Sequence, residues 1–154
     1  MSKTVHLLLF RNDLRLHDNE TLARSIAGAD ELIAVYCHDP RHYRMLPIGF
    51  RKTGYRRFQF LKACLEQLDQ RIQGLGNKLV IKVGRPEDVI PKLVSEYQVS
   101  KVYTQKEIAD EEVKVEQALK SKLSKLAITL EFVWGKTLYH LEDLPFPPEK
   151  TPIT

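Results

Sequence analysis

Three clusters of polar side chains carry the residue types that chemistry requires. The first follows an apolar run, Val5 to Phe10, and holds Arg11, Asn12, Asp13, Arg15, His17, Asp18, Asn19 and Glu20. Its carboxylates Asp13, Asp18 and Glu20 can act as acid–base groups. They also suit a plainer role, in which Arg11, Arg15, Asp13 and Asp18 pair with one another and cap the helix that follows. The second cluster, Tyr103 to Glu107, contains Gln105 and Glu107. A carboxylate such as Glu107 can accept paired N–H donors from a heterocycle, although alone it reads as an ordinary polar loop residue. The third, Cys37 to Tyr43, places Asp39 before Pro40, a turn-forming pair that also suits a simple loop leaving a sheet.

The elements that position these clusters alternate along the chain. Apolar runs at Val5–Phe10, Leu32–Cys37, Leu79–Val83, Lys101–Thr104 and Ile128–Trp134 mostly lack polar–apolar alternation, as strands buried on both faces do in parallel sheets. Four helical patterns separate them. The first is capped by Asp18 or Asn19, turns Leu22 and Ile26 to one face and ends at Gly28. The second repeats Phe58, Leu61, Leu65, Leu68, Ile72 and Leu75 at steps of three and four, then breaks at Gly74 and Gly76. The third opens on Pro86, Glu87 and Asp88 and buries Val89, Ile90, Leu93, Val94 and Tyr97. The fourth starts near Asp110 and turns Val115, Leu119, Leu123 and Leu126 inward. Strict βα alternation with right-handed crossovers predicts an α/β fold: a doubly wound, five-stranded parallel sheet of order 3-2-1-4-5 with helices on both faces, Rossmann-like. In that order the first and fourth strands are neighbours, so the first turn and the Gln105–Glu107 segment face each other across the switch-point crevice.

Composition narrows the function classes. Hydrophobic residues make up 43% and charged residues 29% of 154, ordinary globular usage with enough chain for one core. No apolar stretch is long enough to cross a bilayer, and the N-terminus lacks a signal-peptide cleavage pattern, so a cytoplasmic, soluble protein is expected. Cys37 and Cys64 stand in no metal or redox spacing, and the five histidines are scattered, so no metal site is expected. The net charge of +4 is unevenly spread. Arg41, Arg44, Arg51, Lys52, Arg56 and Arg57 fall between the second strand and the next helix. They read as a solvated loop and helix start, with contact to phosphates or an acidic partner as the alternative. No GxGxxG, GxxxxGK[ST] or GxSxG occurs, which counts against dinucleotide, P-loop and serine-hydrolase chemistry. The segment Leu144–Thr154 carries four prolines and reads as a linker. The expected division is therefore an α/β domain over 1–137 and a Pro-rich tail over 138–154.

Several of these segments resemble the photolyase/cryptochrome family in the right order. Phe10–Leu22 (FRNDLRLHDNETL) is similar to the family's opening motif, and Tyr36–Tyr43 (YCHDPRHY) resembles the cryptochrome DASH branch. Lys52–Leu61 (KTGYRRFQFL), Gln105–Glu116 (QKEIADEEVKVE) and Thr137–Phe146 (TLYHLEDLPF) resemble that branch too, so the likeness covers nearly the whole chain. It implies the amino-terminal photolyase-related domain. Family members continue into a helical domain that holds FAD, the electron-transfer tryptophans and the DNA-facing pocket, whereas this sequence has the single tryptophan Trp134 and none of the FAD-binding helices. FAD binding and lesion repair by this chain alone are therefore not expected, and nucleic-acid contact is expected to be weak or indirect.

The resemblance further implies a light-harvesting role. In the family this domain forms a wall of the antenna pocket, where methenyltetrahydrofolate or a deazaflavin absorbs light and passes energy to FAD. Glu107 matches the glutamate that contacts the pterin, with Gln105 beside it. Phe10, Arg11, Asn12, Asp13 and Asp39 are expected to line the neighbouring crevice. Folate should bind weakly to the chain by itself, because part of the pocket belongs to the helical domain. An apolar docking face is expected, engaging the FAD domain or another partner, or giving a homo-oligomer. The alternatives are a protein-interaction module without a chromophore, or an adenine-nucleotide domain using the same crevice.

Overall fold

The computed structural model describes residues 3–138 and 140–147. The expectation at 148–154, the end of the Pro-rich tail, lies outside the described residues. Five strands, β1 (Val5–Phe10), β2 (Glu31–His38), β3 (Leu79–Val83), β4 (Lys101–Gln105) and β5 (Thr129–Val133), form one sheet of order β3-β2-β1-β4-β5. Every pairing is parallel. Four α-helices connect them: α1 (Glu20–Ile26), α2 (Tyr55–Gln73), α3 (Pro86–Glu96) and α4 (Asp110–Ser124). This is the predicted fold and strand order.

β1 is buried along its whole length because it lies at the centre of a sheet covered on both faces. Its side chains alternate between two cores. Val5, Leu7 and Leu9 join Val35, Val102 and the inward residues of α3 and α4: Ile90, Leu93, Val94, Leu119 and Leu123. Leu8 and Phe10 join Ala34, Tyr36 and Tyr103 beneath Leu65, Leu68 and Ile72 of α2. Each such leucine removes enough apolar surface from water to stabilise the fold by roughly 2 kcal/mol.

Helix ends and helix faces depart from the sequence pattern in instructive ways. Asn19 is the α1 cap, its Oδ1 accepting from the Leu22 N–H at 3.0 Å. α1 then buries Thr21 and Ser25 most deeply, because small side chains let this short helix lie close to β1 and β4, while Leu22 packs half-buried against the core and Ile26 is exposed. The His6 ring, inside the sheet, meets the Ser25 carbonyl at 2.9 Å. Leu75, Tyr97 and Leu126 are exposed although their spacing continues an apolar face, since each lies beyond the last turn of its helix. Their inward place ends where the helix does. Among the described residues no helix is long and apolar enough to cross a membrane, and no cluster of histidine, cysteine and carboxylates could hold a metal.

Candidate functional site

The strands β1, β2 and β4 end side by side, and each hands the chain to a polar turn. In the turn after β1, the buried Asp13 carboxylate accepts the Arg11 backbone N–H at 2.9 Å. Asn19 Nδ2 donates to the carbonyls of Asp13 and Arg15 at 3.2 and 2.9 Å. Asp13 and Asn19 thus brace the turn from inside. Asp18 adopts φ of 49°, a left-handed conformation that aspartate tolerates better than most residues. Arg15 bonds the Asp18 carbonyl through Nε at 3.0 Å. The expected mutual pairing of Arg11, Arg15, Asp13 and Asp18 is therefore corrected. Asp13 takes a backbone N–H, Arg15 takes a carbonyl, and the Arg11 guanidinium leaves the turn altogether.

Arg11 reaches instead to Glu116 of α4, with Nη1 at 2.9 Å from Oε1. The same Oε1 accepts the Glu107 backbone N–H at 2.7 Å, and Lys106 Nζ binds Oε2. One buried carboxylate thereby ties the β1 turn, the β4 turn and α4 together. The Glu107 side chain is itself buried and faces the first turn across the switch point. Its Oε1 accepts from Asn12 Nδ2 at 3.2 Å, and its Oε2 pairs with Lys136 Nζ, just beyond β5, at 2.9 Å. The crevice predicted from the strand order thus brings Asn12 and Glu107 into direct contact.

Gln105, the last residue of β4, donates through Nε2 to the Gly135 carbonyl at 3.2 Å. A Cβ on Gly135 would approach that Nε2 to 2.7 Å, so the position after Trp134 must stay small while Gln105 keeps this orientation. Gln105 lines a cleft of about 280 Å3 with Arg15, Asn19, Trp134, Thr137 and His140. The Trp134 indole N–H donates to Thr137 Oγ1 at 2.7 Å. A shallow depression of about 460 Å3 beside α1 is lined by Leu16, Leu22, Ala23 and Ile26 with Asp18, Asn19 and Glu20, and contains neither Gln105 nor Glu107.

The remaining predicted positions are placed elsewhere. Phe10 is a core residue. Asp39 belongs to a separate clamp: it caps the short 3-10 turn Pro40–Tyr43, accepting the Arg41 N–H at 2.9 Å. The Arg41 guanidinium binds Asp39 at 2.6 Å and the buried Glu87 at 2.8 Å. Burial disfavours the Asp39 carboxylate, but hydrogen bonds from the Arg41 side chain and backbone outweigh it and hold its pKa below the ordinary 3.8. Beside it, burial pushes the Cys37 thiol up to about 12, so that side chain is a packed hydrophobe and not a nucleophile. Sequence reasoning missed Glu116, Lys136 and the Arg41–Glu87 pair. For Glu116 a signal existed: Glu116, Leu119 and Leu123 follow at steps of three and four, so a carboxylate stands on the inward face of α4 and needs cations to meet it.

A parallel five-stranded sheet of this order, with polar side chains converging at the carboxyl ends of β1 and β4, defines a Rossmann-like α/β domain. The chain belongs to the DNA photolyase family, which matches residues 6–154. Its curated relatives include Cryptochrome DASH of Synechocystis sp., 43% identical over 140 residues, covering 91% of this chain and 29% of the relative. Cryptochrome DASH of Gloeobacter violaceus is 40% identical over 152 residues, covering 99% and 30%. The crystal structure of the Synechocystis cryptochrome superposes with a TM-score of 0.92 at 41% identity, over 99% of this chain and 32% of that one. An archaeal photolyase from Sulfolobus tokodaii, crystallised with two FAD molecules, shares the fold with a TM-score of 0.81 at 20% identity, over 93% and 32% of the two chains. The chain spans about a third of the length of these relatives.

Proposed function

We propose that this chain is the light-harvesting α/β half of a cryptochrome DASH-type photoreceptor or photolyase. In this reading it supplies one wall of a site for an antenna chromophore of the methenyltetrahydrofolate class and docks a FAD-carrying helical domain. It performs no catalysis by itself. The α/β unit runs over 1–137, and 138–154 is a Pro-rich linker in composition.

The observation that carries the reading is the Glu107 carboxylate, held at the switch point by Asn12 and Lys136. The donor set fits a pterin. A carboxylate oxygen keeps acceptor capacity beyond one hydrogen bond and one ion pair, and two adjacent N–H groups of a heterocycle match its two oxygens. Gln105 and the Trp134 ring border the cleft alongside. The chromophore, when bound, supplies near-ultraviolet absorption, while these residues bind and orient it. Arg11, Lys106 and Glu116 fix the backbone from which Glu107 projects.

Titration of the purified chain with methenyltetrahydrofolate, followed by its near-ultraviolet absorbance, tests this. A saturable shift is expected. Glu107→Gln exchanges one acceptor for a donor and should weaken binding about tenfold or more, the scale of a hydrogen bond to a charged group. No shift at high folate removes the antenna reading. A shift of equal midpoint in Glu107→Gln removes the site.

A further inference from the structure

The stretch between β2 and α2 forms a projecting hairpin. Met45 and Arg51 pair as an antiparallel bridge, Leu46 N–H bonds the Phe50 carbonyl at 2.7 Å, and Lys52 N–H bonds the Arg44 carbonyl at 3.0 Å. Pro47 and Ile48 make the tip, closed by Gly49 at φ of 87°. The hairpin is anchored at its base by the Lys52–Glu111 ion pair. Its tip, however, is apolar and in water: Met45, Ile48 and Phe50 are 59%, 69% and 66% exposed. In the first turns of α2, which follow directly in the chain, Tyr55 and Phe60 are both 72% exposed. Arg44, Arg51, Arg56 and Arg57 lie among them, exposed and without an ion-pair partner among the described residues.

We infer that this hairpin and the start of α2 form a docking surface for an acidic protein segment that carries apolar anchors. The inference rests on the docking half of the proposed function and gives that docking a location and a chemistry. Arginine and aromatic residues around an apolar centre are the composition of protein–protein hot spots. Isolated exposed apolar residues are common, but Met45, Ile48 and Phe50 stand together on one short hydrogen-bonded hairpin, which holds them ready for a partner. Four solvated guanidiniums without partners make the patch electropositive, and carboxylates opposite them give it charge complementarity. A second copy of this chain meets the patch poorly, because a two-fold contact sets arginine against arginine. A nucleic-acid strand would use the arginines and stack on Phe50, Tyr55 and Phe60, but offers nothing to the aliphatic tip Met45 and Ile48.

The test uses the full chain and a synthetic helical peptide with leucines at three- and four-residue spacing and glutamates elsewhere. Fluorescence anisotropy should show saturable binding that weakens about tenfold or more when lysines replace the glutamates, and again in the doubles Arg51→Glu/Arg56→Glu and Ile48→Ser/Phe50→Ser. Circular dichroism should show both variants folded. Equal binding of the lysine peptide, or tighter binding of oligo-dT, overturns the inference. So does self-association that abolishes peptide binding. Peptide binding that survives both hairpin variants but is lost in Val83→Ser at the sheet edge overturns the location and leaves the docking reading standing. Absence of any peptide binding overturns the inference, while the folate titration still decides the chromophore reading by itself.

Discussion

The switch-point turns and the hairpin–α2 surface handle charge in opposite ways. At the switch point the two buried glutamates meet opposite charges inside the chain: Glu116 with Arg11 and Lys106, Glu107 with Lys136. These carboxylates are buried, and burial without partners would cost several kcal/mol per ion. The hairpin, by contrast, leaves its arginines in water, where an unpaired guanidinium costs little. The contrast teaches where each region's energy resides. The switch point has its buried charges paired within the fold. The hairpin is complete only against another surface.

The largest effect should come from Glu116→Ala. It leaves two buried or half-buried cations and the Glu107 N–H without their acceptor. Loss of one partner from such a buried network destabilises by about 3 to 5 kcal/mol. Urea unfolding followed by circular dichroism reads this directly. A loss under about 1 kcal/mol would show that the network is not the strut of the switch point, and would erase the contrast drawn between the two regions.

The Asp39–Arg41–Glu87 clamp gives the next effect, and it depends on pH. The Asp39 pKa is depressed in the fold, so its contribution to stability is fully present above the ordinary 3.8 and is lost as pH falls through the lower folded value. Other carboxylates titrate in the same range, so the comparison is with Asp39→Asn. Wild type should lose stability more steeply than the variant below about 3.8, and the two slopes should coincide near neutrality. Parallel curves across the whole acid range would mean that Arg41 does not favour the charged form of Asp39.

The difference between the regions also explains what the sequence disclosed. Apolar runs such as Val5–Phe10 announce a strand buried on both faces, and βα alternation then restricts the topology, so sheet order was legible. That the first turn faces the Gln105–Glu107 segment followed from that order, and the side-chain contact of Asn12 with Glu107 came only with the structure. Glu116 was harder, because α4 was read through its aliphatic residues and a carboxylate on the inward face was passed over. Lys136 was invisible for another reason: its partner is set by how the chain leaves β5, which no periodicity encodes. The hairpin reads as a solvated loop in sequence because its arginine-rich span is short and shows no strand-length alternation. Its order comes from a tight turn at Pro47 to Gly49, and its exposure from α2 beginning at Tyr55, three residues ahead of the apolar repeat that starts at Phe58.

The smallest effect should belong to the hairpin tip itself. Ile48→Ser removes an apolar side chain that is already in water, so the folded and unfolded states lose nearly the same interaction with solvent. Its unfolding midpoint should correspond to a change within about 0.5 kcal/mol of wild type, as for surface positions in general. A destabilisation above about 1.5 kcal/mol would show that Ile48 packs within its own chain. The hairpin would then be another self-sufficient region like the switch point, with no surplus surface for a partner. A neutral Ile48→Ser that nevertheless loses the acidic peptide would separate binding from folding at this position, which is the behaviour a surface complete only in a complex must show.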